Sequence, residues 1–464
     1  MFTINEIALA TGGRIIGDST GEVTAVSTDS RTVAPGELFV PLRGEKFNGH
    51  EFIIEVAVKG ILAVIAEEQW LKGHTIPDSL TCIAVKNSLR ALGDLAAEWR
   101  RRFEIPIIGV TGSNGKTTVK EMLATILEQT GPGLKTAGNL NNLIGLPQML
   151  FQLRPEHSWG VMEMGMSEPG EIDRLAAIAA PRVGIVLNAL PAHLQSMGTV
   201  EAVAAAKGEL LHRISDGGLA VVNADDPRVA SLSQNASARR ISFGIDRGEV
   251  RAREIESLGL EGQYFILVTP NGEATVHLKA CGRHNVYNAL AAAAALMEKV
   301  ELPVIVAGLE AFTPYKGRFQ IEQLDGITII DDSYNANPAS TKAALETLSQ
   351  IAAEGHRIAV LGDMLELGAL EGEAHQGVGA VAGRNVDRLY LTGELMIKYA
   401  AEGALLSDMP AESIICCTNR ADIAGLLFQT VTDGDVILFK GSRGMAMEKV
   451  AAELKRLMQH AKGE

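Results

Sequence analysis

IPIIGVTGSNGKTTVKE, residues 105–121, decides how the rest of the chain is read. Residues 105–110 are a short apolar run, the length of one buried parallel strand. Val119, Met122, Leu123, Ile126 and Leu127 then recur at i, i+3, i+4, i+7 and i+8, one face of a helix. Between the two lies TGSNGKTT, where Gly112 and Gly115 permit backbone angles and close approaches that a Cβ forbids. The N–H groups of this loop and the helix N-terminus together make a concave anion site. Lys116 adds a point charge for the β- and γ-phosphates of a nucleotide, and the Thr117 hydroxyl is a ligand for Mg²⁺. The strict phosphate-loop spacing wants a glycine where this chain has Val110, but a GKT that follows an apolar strand and opens an amphipathic helix has the right context.

A chain of 464 residues predicts about three domains, and 47% hydrophobic residues are ample for their cores. The formal net charge of −14 argues against nucleic acid as a general partner, because phosphate neutralisation needs a basic face. Cys82, Cys281, Cys416 and Cys417 show no metal-binding spacing, so reduced structural thiols of a cytoplasmic protein are expected. The opening MFTINEIALATGG lacks a basic segment and an apolar core, so it does not read as a signal peptide. The most apolar helical run, 289–297, is too short to span a bilayer.

Residues 1–86 read as a small α/β unit, with a short helix that stops at Gly12-Gly13 and strands near 23–27, 37–41, 63–66 and 81–85. Two polar stretches interrupt it, Thr28-Asp29-Ser30-Arg31 and RGEKFNGHEF (43–52). A helix over 88–103 leads into the phosphate-loop strand. Strand and helix then alternate as in a parallel sheet, with strands at 160–164, 183–188, 219–223 and 240–243 and helices at 171–179, 200–213 and 285–300. Between about 246 and 280 the pattern turns hairpin-like, with Glu261-Gly262 and Asn271-Gly272 as turn signals.

Polar residues collect at the strand ends, where open α/β sheets bind ligands. TAGNLNNLIGLP (136–147) is rich in amides and glycine, Glu163 ends an otherwise apolar strand, and Asn188 and His193 follow the next. Each alone reads as a cap, a turn or a satisfied histidine; together, beside a phosphate loop, they are candidates for metal and phosphate ligation. Lys207 stands on the apolar stripe of its helix with Val200, Val203, Ala204 and Leu211. It is open to two readings, an ammonium that snorkels past its own stem or a desolvated lysine of lowered pKa.

After a TPYKGR linker near residue 313, the chain repeats an apolar strand followed by polar residues. Strands at 328–330, 358–361, 388–391 and 436–439 lead into DDSYNANP, GDMLELG, TGE and KGSRG. That is a doubly wound sheet with its functional edge at the strand C-termini, and no G-x-G-x-x-G follows its first strand.

These segments resemble the Mur ligase family. The matches are GVTGSNGKTTVKE, TAGNLNNLIGLP, MEMG, NALPAHL, AKGEL, GRHNVYNALAA, YKGRF, DDSYNANPAS, GDMLELG and FKGSRGMAMEKV, in family order through the central and C-terminal regions. The N-terminal match through TDSR and RGEKFNGHEF is weaker, and Asn48 stands where family members often carry aspartate. The resemblance implies an α/β protein of three domains: a small N-terminal α/β domain (1–86) for a UDP-sugar, a central P-loop parallel-sheet ATPase (87–313), and a C-terminal Rossmann-like doubly wound domain (314–464) for an amino substrate. YNANP and the NNLIGLP loop imply the branch whose partners are UDP-N-acetylmuramoyl-tripeptide and D-Ala-D-Ala, joined through an acyl phosphate.

By the same resemblance, ATP is held by Gly112, Ser113, Asn114, Gly115, Lys116, Thr117 and Thr118 with Asn288, Arg318 and Asp332. Lys116, Lys207 and His193 are the catalytic set; Thr117, Glu163, His193 and Lys207 serve two Mg²⁺ sites. Lys207 is carbamylated by CO₂, which suits a lysine on an apolar stripe. Ser30, Arg31, Asn139, Asn141, Asn142, Asn335 and Asn337 face the substrates. A cytoplasmic monomer is expected. The rivals are a sister ligase and a P-loop switch, and the chain lacks the N-K-x-D base-reading motif of a GTPase.

Overall fold

The computed structural model describes residues 1–44, 47–192, 194–214, 216–232 and 238–461. By compactness the chain divides into two units. The first comprises Met1–Gly109, Gly131–Met166 and Gly170–Arg182; the second comprises Val110–Thr130, Ser167–Pro169 and Val183–Glu464.

In the first unit a five-stranded sheet runs Arg14–Ile16, Thr81–Val85, Ala63–Glu67, Leu38–Phe39, Val26–Ser27, parallel except at Arg14–Ile16. AVIA (63–66) and CIAV (82–85) read as apolar runs because neither face of these stretches meets water. Helix Ile4–Thr11 starts at a reciprocal Thr3–Glu6 capping box and stops where Gly12 takes a left-handed φ of 61°. Elsewhere in this unit, strand Trp159–Glu163 pairs in parallel with Gly133–Lys135 and is buried along its whole length, so that Glu163 is delivered at its C-terminal end.

In the second unit, Val183–Val186, Leu219–Asn223, Arg239–Gly244 and Val250–Ser257 are successive parallel neighbours. Gln263–Thr269 and Gly272–Leu278 extend them as antiparallel hairpins, with Gly262 and Gly272 at the positive φ their turns require. Strand Ile107–Thr111 ends in this unit, where the Leu187 N–H donates to the Thr111 carbonyl at 3.0 Å. The helix Lys116–Leu127 that follows it buries Val119, Met122, Leu123, Ile126 and Leu127, the face read from the sequence. Helix Arg283–Leu296 packs against it and against the sheet, with every residue from Ala289 to Leu296 buried.

A second sheet in this unit carries six strands in the order Gln320–Leu324, Ile327–Asp331, Val436–Lys440, Arg357–Gly362, Arg388–Thr392, Ile414–Cys417. All run parallel except the first. Helices Pro338–Ser349 and Glu371–Asn385 bury Leu345, Leu348 and Val378 on one face, and Asp422–Thr430 and Glu448–Ala461 bury Ile423, Leu427 and Leu454 on the other. This is the doubly wound arrangement. Its edge strand Gln320–Leu324 escapes a sequence reading because QIEQL is polar and nowhere fully buried. The chain is α/β throughout, and none of its described helices is long and apolar enough to cross a membrane.

Candidate active site

The phosphate loop leaves its strand at Gly112, where a Cβ would come within 2.8 Å of the Leu187 Cβ. Gly115 then takes a φ of 87° and starts helix Lys116–Leu127 without a side-chain cap, which leaves the first-turn N–H groups oriented toward a ligand. The loop is held from behind by the segment after Val183–Val186. The N–H groups of Ser113 and Asn114 donate to the Asn188 carbonyl (3.1 Å) and Oδ1 (2.9 Å), and Asn188 Nδ2 returns a bond to the Asn114 carbonyl at 3.2 Å. Ser113 Oγ donates to the Leu190 carbonyl and accepts the Leu190 N–H. Lys116 Nζ donates to the Gly112 carbonyl at 2.8 Å, folded over its own loop.

A cavity of about 430 Å³ opens beside the loop, lined by Asn114, Gly115, Thr118, Asn288, Arg318 and Asp332 among others. Arg318 lies with its guanidinium 4.1 Å above the Tyr334 ring, and its Nη2 reaches Thr117 Oγ1 at 3.3 Å. Its Nε is buried and has no partner among the described residues. A buried donor of a permanent cation left in this state is a place for an anionic oxygen. Asp332 accepts the Phe319 N–H at 3.1 Å and pairs with the buried Lys440 at 2.6 Å. Lys440 also donates to the Asn335 carbonyl, so it braces the loop after Ile327–Asp331. Asn288 is positioned by Asn285, whose Oδ1 accepts its amide at 2.9 Å.

Lys207 is 2% exposed in helix Val200–His212, among Val203, Ala204, Leu210 and Leu211. Burial holds its pKa well below the ordinary lysine value, and the nearby charge of Lys116 lowers it further. Its ammonium has no salt-bridge partner among the described residues. His193 lies outside the described residues. No cluster of three or more histidine, cysteine or carboxylate side chains stands ready to hold a metal among those described.

The structure therefore brings together Asn114, Gly115, Lys116, Thr117, Thr118, Asn288, Arg318, Asp332 and, through their loop, Asn335 and Asn337. Gly112 and Ser113 belong to the same loop and Lys207 to the same unit, while the other predicted residues described, Ser30, Arg31, Asn139, Asn141, Asn142 and Glu163, are in the first unit. Glu163 is 3% exposed; its N–H donates to Thr136 Oγ1 and its Oε1 accepts from Asn141 Nδ2 at 2.8 Å. Asn142 Oδ1 accepts the N–H groups of Ile144 and Gly145 at the start of helix Gly145–Leu150, while Asn139 is exposed. Arg31 extends into solvent beside Asp29, whose carboxyl it holds down at about 2, and the Ser30 carbonyl accepts from Lys59 Nζ at 2.6 Å. Asn48 Oδ1 accepts the His50 N–H and meets His50 Nδ1 at 2.8 Å, so its amide caps the turn Gly49–Phe52. Glu45 and Lys46 of the same segment lie outside the described residues.

The sequence points to Asn188 as a candidate for metal and phosphate ligation, whereas in the structure its side chain braces the phosphate loop. Lys440 and Tyr287 enter the sequence reading only inside matched segments, and Asp225 does not enter it. Asp225 accepts from the N–H groups of Ile245, Asp246 and Arg247 and from the Tyr287 hydroxyl at 2.9 Å, at the cavity wall. The available signal was the ADDP that follows strand Leu219–Asn223, a charged pair at a strand end.

Three sequence profiles cover most of the chain: the Mur ligase family catalytic domain over residues 22–100, the Mur ligase middle domain over 110–296, and the Mur ligase glutamate ligase domain over 317–443. The UDP-N-acetylmuramoyl-tripeptide–D-alanyl-D-alanine ligases of Bacillus subtilis and Escherichia coli are 35% and 36% identical to it, over 93% of both chains in each case. A crystal structure of MurF from Acinetobacter baumannii superposes with a TM-score of 0.90 at 35% identity, covering 98% of this chain and 99% of that one. MurF from Thermotoga maritima in complex with ADP gives 0.83 at 29% identity, covering 94% and 98%.

Proposed function

The chain belongs to the Mur ligase family, and from that premise we propose that it is the ATP-dependent ligase that joins D-alanyl-D-alanine to UDP-N-acetylmuramoyl-tripeptide, releasing ADP and phosphate. The observation that carries the reading is the cavity. Residues from the phosphate loop, from helix Arg283–Leu296 and from the start of the second sheet line one space, with the unpartnered Arg318 Nε beside it.

The chemistry follows from the substrates. A carboxylate is a poor electrophile, so one of its oxygens attacks the γ-phosphorus of ATP and ADP departs. The amine of the dipeptide attacks the acyl carbon and loses a proton, and the C–O bond to phosphate breaks as the amide forms. Two anions must meet in the first step, so cations and N–H dipoles have to stand where the charge develops. Lys116 and the first turn of its helix serve the β- and γ-phosphates; Arg318 serves the group in transfer; Asn288 and Asp332 hold the nucleoside side.

The Thr117 hydroxyl and the Glu163 carboxylate are oxygen donors of the kind magnesium takes, with phosphate and water to supply the rest, whereas the His193 imidazole is a nitrogen donor that the family resemblance adds. Thr117, Glu163 and His193 would hold Mg²⁺ at two sites, where it neutralises phosphate charge. Lys207 is proposed to be a carbamate: its neutral amine bonds to the carbon of CO₂, loses one N–H proton to solvent and becomes an anionic oxygen ligand. Its burial and its want of a salt-bridge partner support this. Ser30, Arg31, Asn139, Asn141 and Asn142 are assigned to the UDP-linked substrate, and Asn335 and Asn337 to the amino substrate side. We assign domains at 1–86, 87–313 and 314–464, and a monomer in the cytoplasm.

The test is a matrix of UDP-muramoyl peptides against D-amino dipeptides, read by mass spectrometry of the product. Amide product with the tripeptide and D-Ala-D-Ala, and phosphate release that needs both, are expected. Slow phosphate release indifferent to either substrate would make the protein a nucleotide switch instead.

A further inference from the structure

Asn337 is the N-cap of helix Pro338–Ser349. Its Oδ1 accepts the Ser340 N–H at 2.9 Å, and Ser340 Oγ accepts the Asn337 N–H at 3.1 Å. That role is served about equally by serine or aspartate, because a cap needs only an acceptor. Here the side chain does more. Its Nδ2 donates to Asn114 Oδ1 at 2.6 Å, 223 residues away in the chain, and Asn114 Nδ2 returns a longer bond of 3.3 Å to Asn337 Oδ1. Only a carboxamide offers a donor and an acceptor on one side chain in this geometry.

Both ends of the pair are braced. The Asn114 peptide is fixed by Asn188 on both its N–H and its carbonyl, so its side chain is aimed rather than loose. Asn337 is 9% exposed and closes a loop whose other end is tied by Lys440 to the Asp332 carboxylate and carbonyl and to the Asn335 carbonyl. The phosphate loop and the loop DDSYNANP are thus joined through one shielded amide pair.

We infer that the Asn114–Asn337 pair is a clasp that sets the loop serving the amine against the loop serving the transferred phosphate, and that Asn337 is a positioning residue for the attack on the acyl phosphate. The inference rests on the ligase reading. It gives the donor of Asn337 a task that the helix cap leaves unexplained. Attack of the amine on the acyl carbon tolerates little misplacement, so a clasp at this point acts on the amine step and leaves nucleotide affinity alone.

The experiment compares Asn337→Ser and Asn337→Asp, which keep the cap acceptor and lose the Nδ2 donor that reaches Asn114, with Asn114→Ser and the double variants. Expected are a wild-type melting temperature and ADP affinity for both Asn337 variants. The kcat/KM for D-Ala-D-Ala should fall about tenfold, the worth of one or two sheltered neutral hydrogen bonds. Asn337→Asp covers the case in which serine weakens the helix. In the double variants, removal of Asn114 should then cost no more on top of the loss at Asn337 than its separate effect on ADP affinity. Losses that multiply fully, an ADP affinity that falls as far as kcat/KM in the Asn337 variants, or both Asn337 variants at wild-type kcat/KM would each overturn the clasp. Failure of the ligase reading is distinct, because the wild-type protein would then make no amide at all, and the clasp would fall with it.

Discussion

A Cβ placed on Gly115 would overlap the side-chain amide oxygen of Asn288. The phosphate loop and the helix that forms the cavity floor are packed to the limit of what glycine permits, and the φ of 87° at Gly115 disfavours any other residue again. Gly115→Ala should therefore fold, since the penalty is local, and lose ADP binding by at least about tenfold. Isothermal titration with ADP would show it; unchanged affinity would mean that Asn288 yields and that the close approach is incidental.

Lys116→Ala should leave the melting temperature unchanged and lower kcat by at least about 10²–10³, the scale for loss of one preorganised charge at a transferring phosphate. Steady-state phosphate release decides it. A variant within tenfold of wild type would show that the loop has been misread.

Arg318→Lys should raise the KM for ATP by about tenfold or more, because an ammonium reproduces neither the flat contact with Tyr334 nor the fork that reaches Thr117 while offering Nε to a ligand. Tyr334→Leu should raise it less, since the guanidinium keeps its charge but loses its platform. Equal effects of the two substitutions on KM would count against a direct contact by Arg318.

For Lys207, loss of the side chain should preserve the fold and remove most activity, and Lys207→Arg should do no better, since a guanidinium stays charged and cannot take up CO₂. Small carboxylic acids should partly restore Lys207→Ala by filling the space with the missing oxygens, and should do nothing for Lys116→Ala. Absence of a ¹³CO₂-derived carbamate signal that depends on Lys207, or wild-type activity in the arginine variant, would make this lysine an unmodified buried amine.

The thiols predict a pH dependence. Burial pushes Cys82 up to about 12 and Cys281 up to about 11, from an ordinary value of 9.0. The stability that their neutral forms contribute is therefore complete below pH 9 and is lost as pH rises toward 11 and 12, because the unfolded chain ionises first. Urea midpoints at pH 8 and 10.5 should differ, and less so in a Cys82→Ala, Cys281→Ala chain. In the native protein at pH 8, alkylation followed by mass spectrometry should mark the exposed Cys416 well before Cys82, Cys281 or Cys417.

What the sequence made legible was what repeats or what is chemically singular. The parallel strands announced themselves as apolar runs, the hairpins by Glu261-Gly262 and Asn271-Gly272, and the site by GKT and by the resemblance of ten short segments to one family. What it hid was pairing. Nothing local to Asn114 indicates Asn337, and nothing local to Lys440 indicates Asp332, because these bonds depend on where two strand ends arrive. Asp225 was hidden for the same reason: its donors are backbone N–H groups of Ile245 to Arg247, which carry no signature in side-chain type. Edge strand Gln320–Leu324 was hidden by its polarity.

Helix Arg283–Leu296 has one more consequence. Its run Ala291–Ala295 is buried at 0–6% exposure against helix Lys116–Leu127 and the sheet, while Asn285 and Asn288 stand at its other end beneath the nucleotide cavity. The helix works as a shim whose thickness is one methyl group. A valine or leucine anywhere along the run would wedge it outward, tilt its N-terminal end and carry Asn288 toward or away from Gly115 by more than the packing there allows. The depth of the cavity is thus gauged at a distance, by five side chains that touch no ligand and whose contribution is to be small.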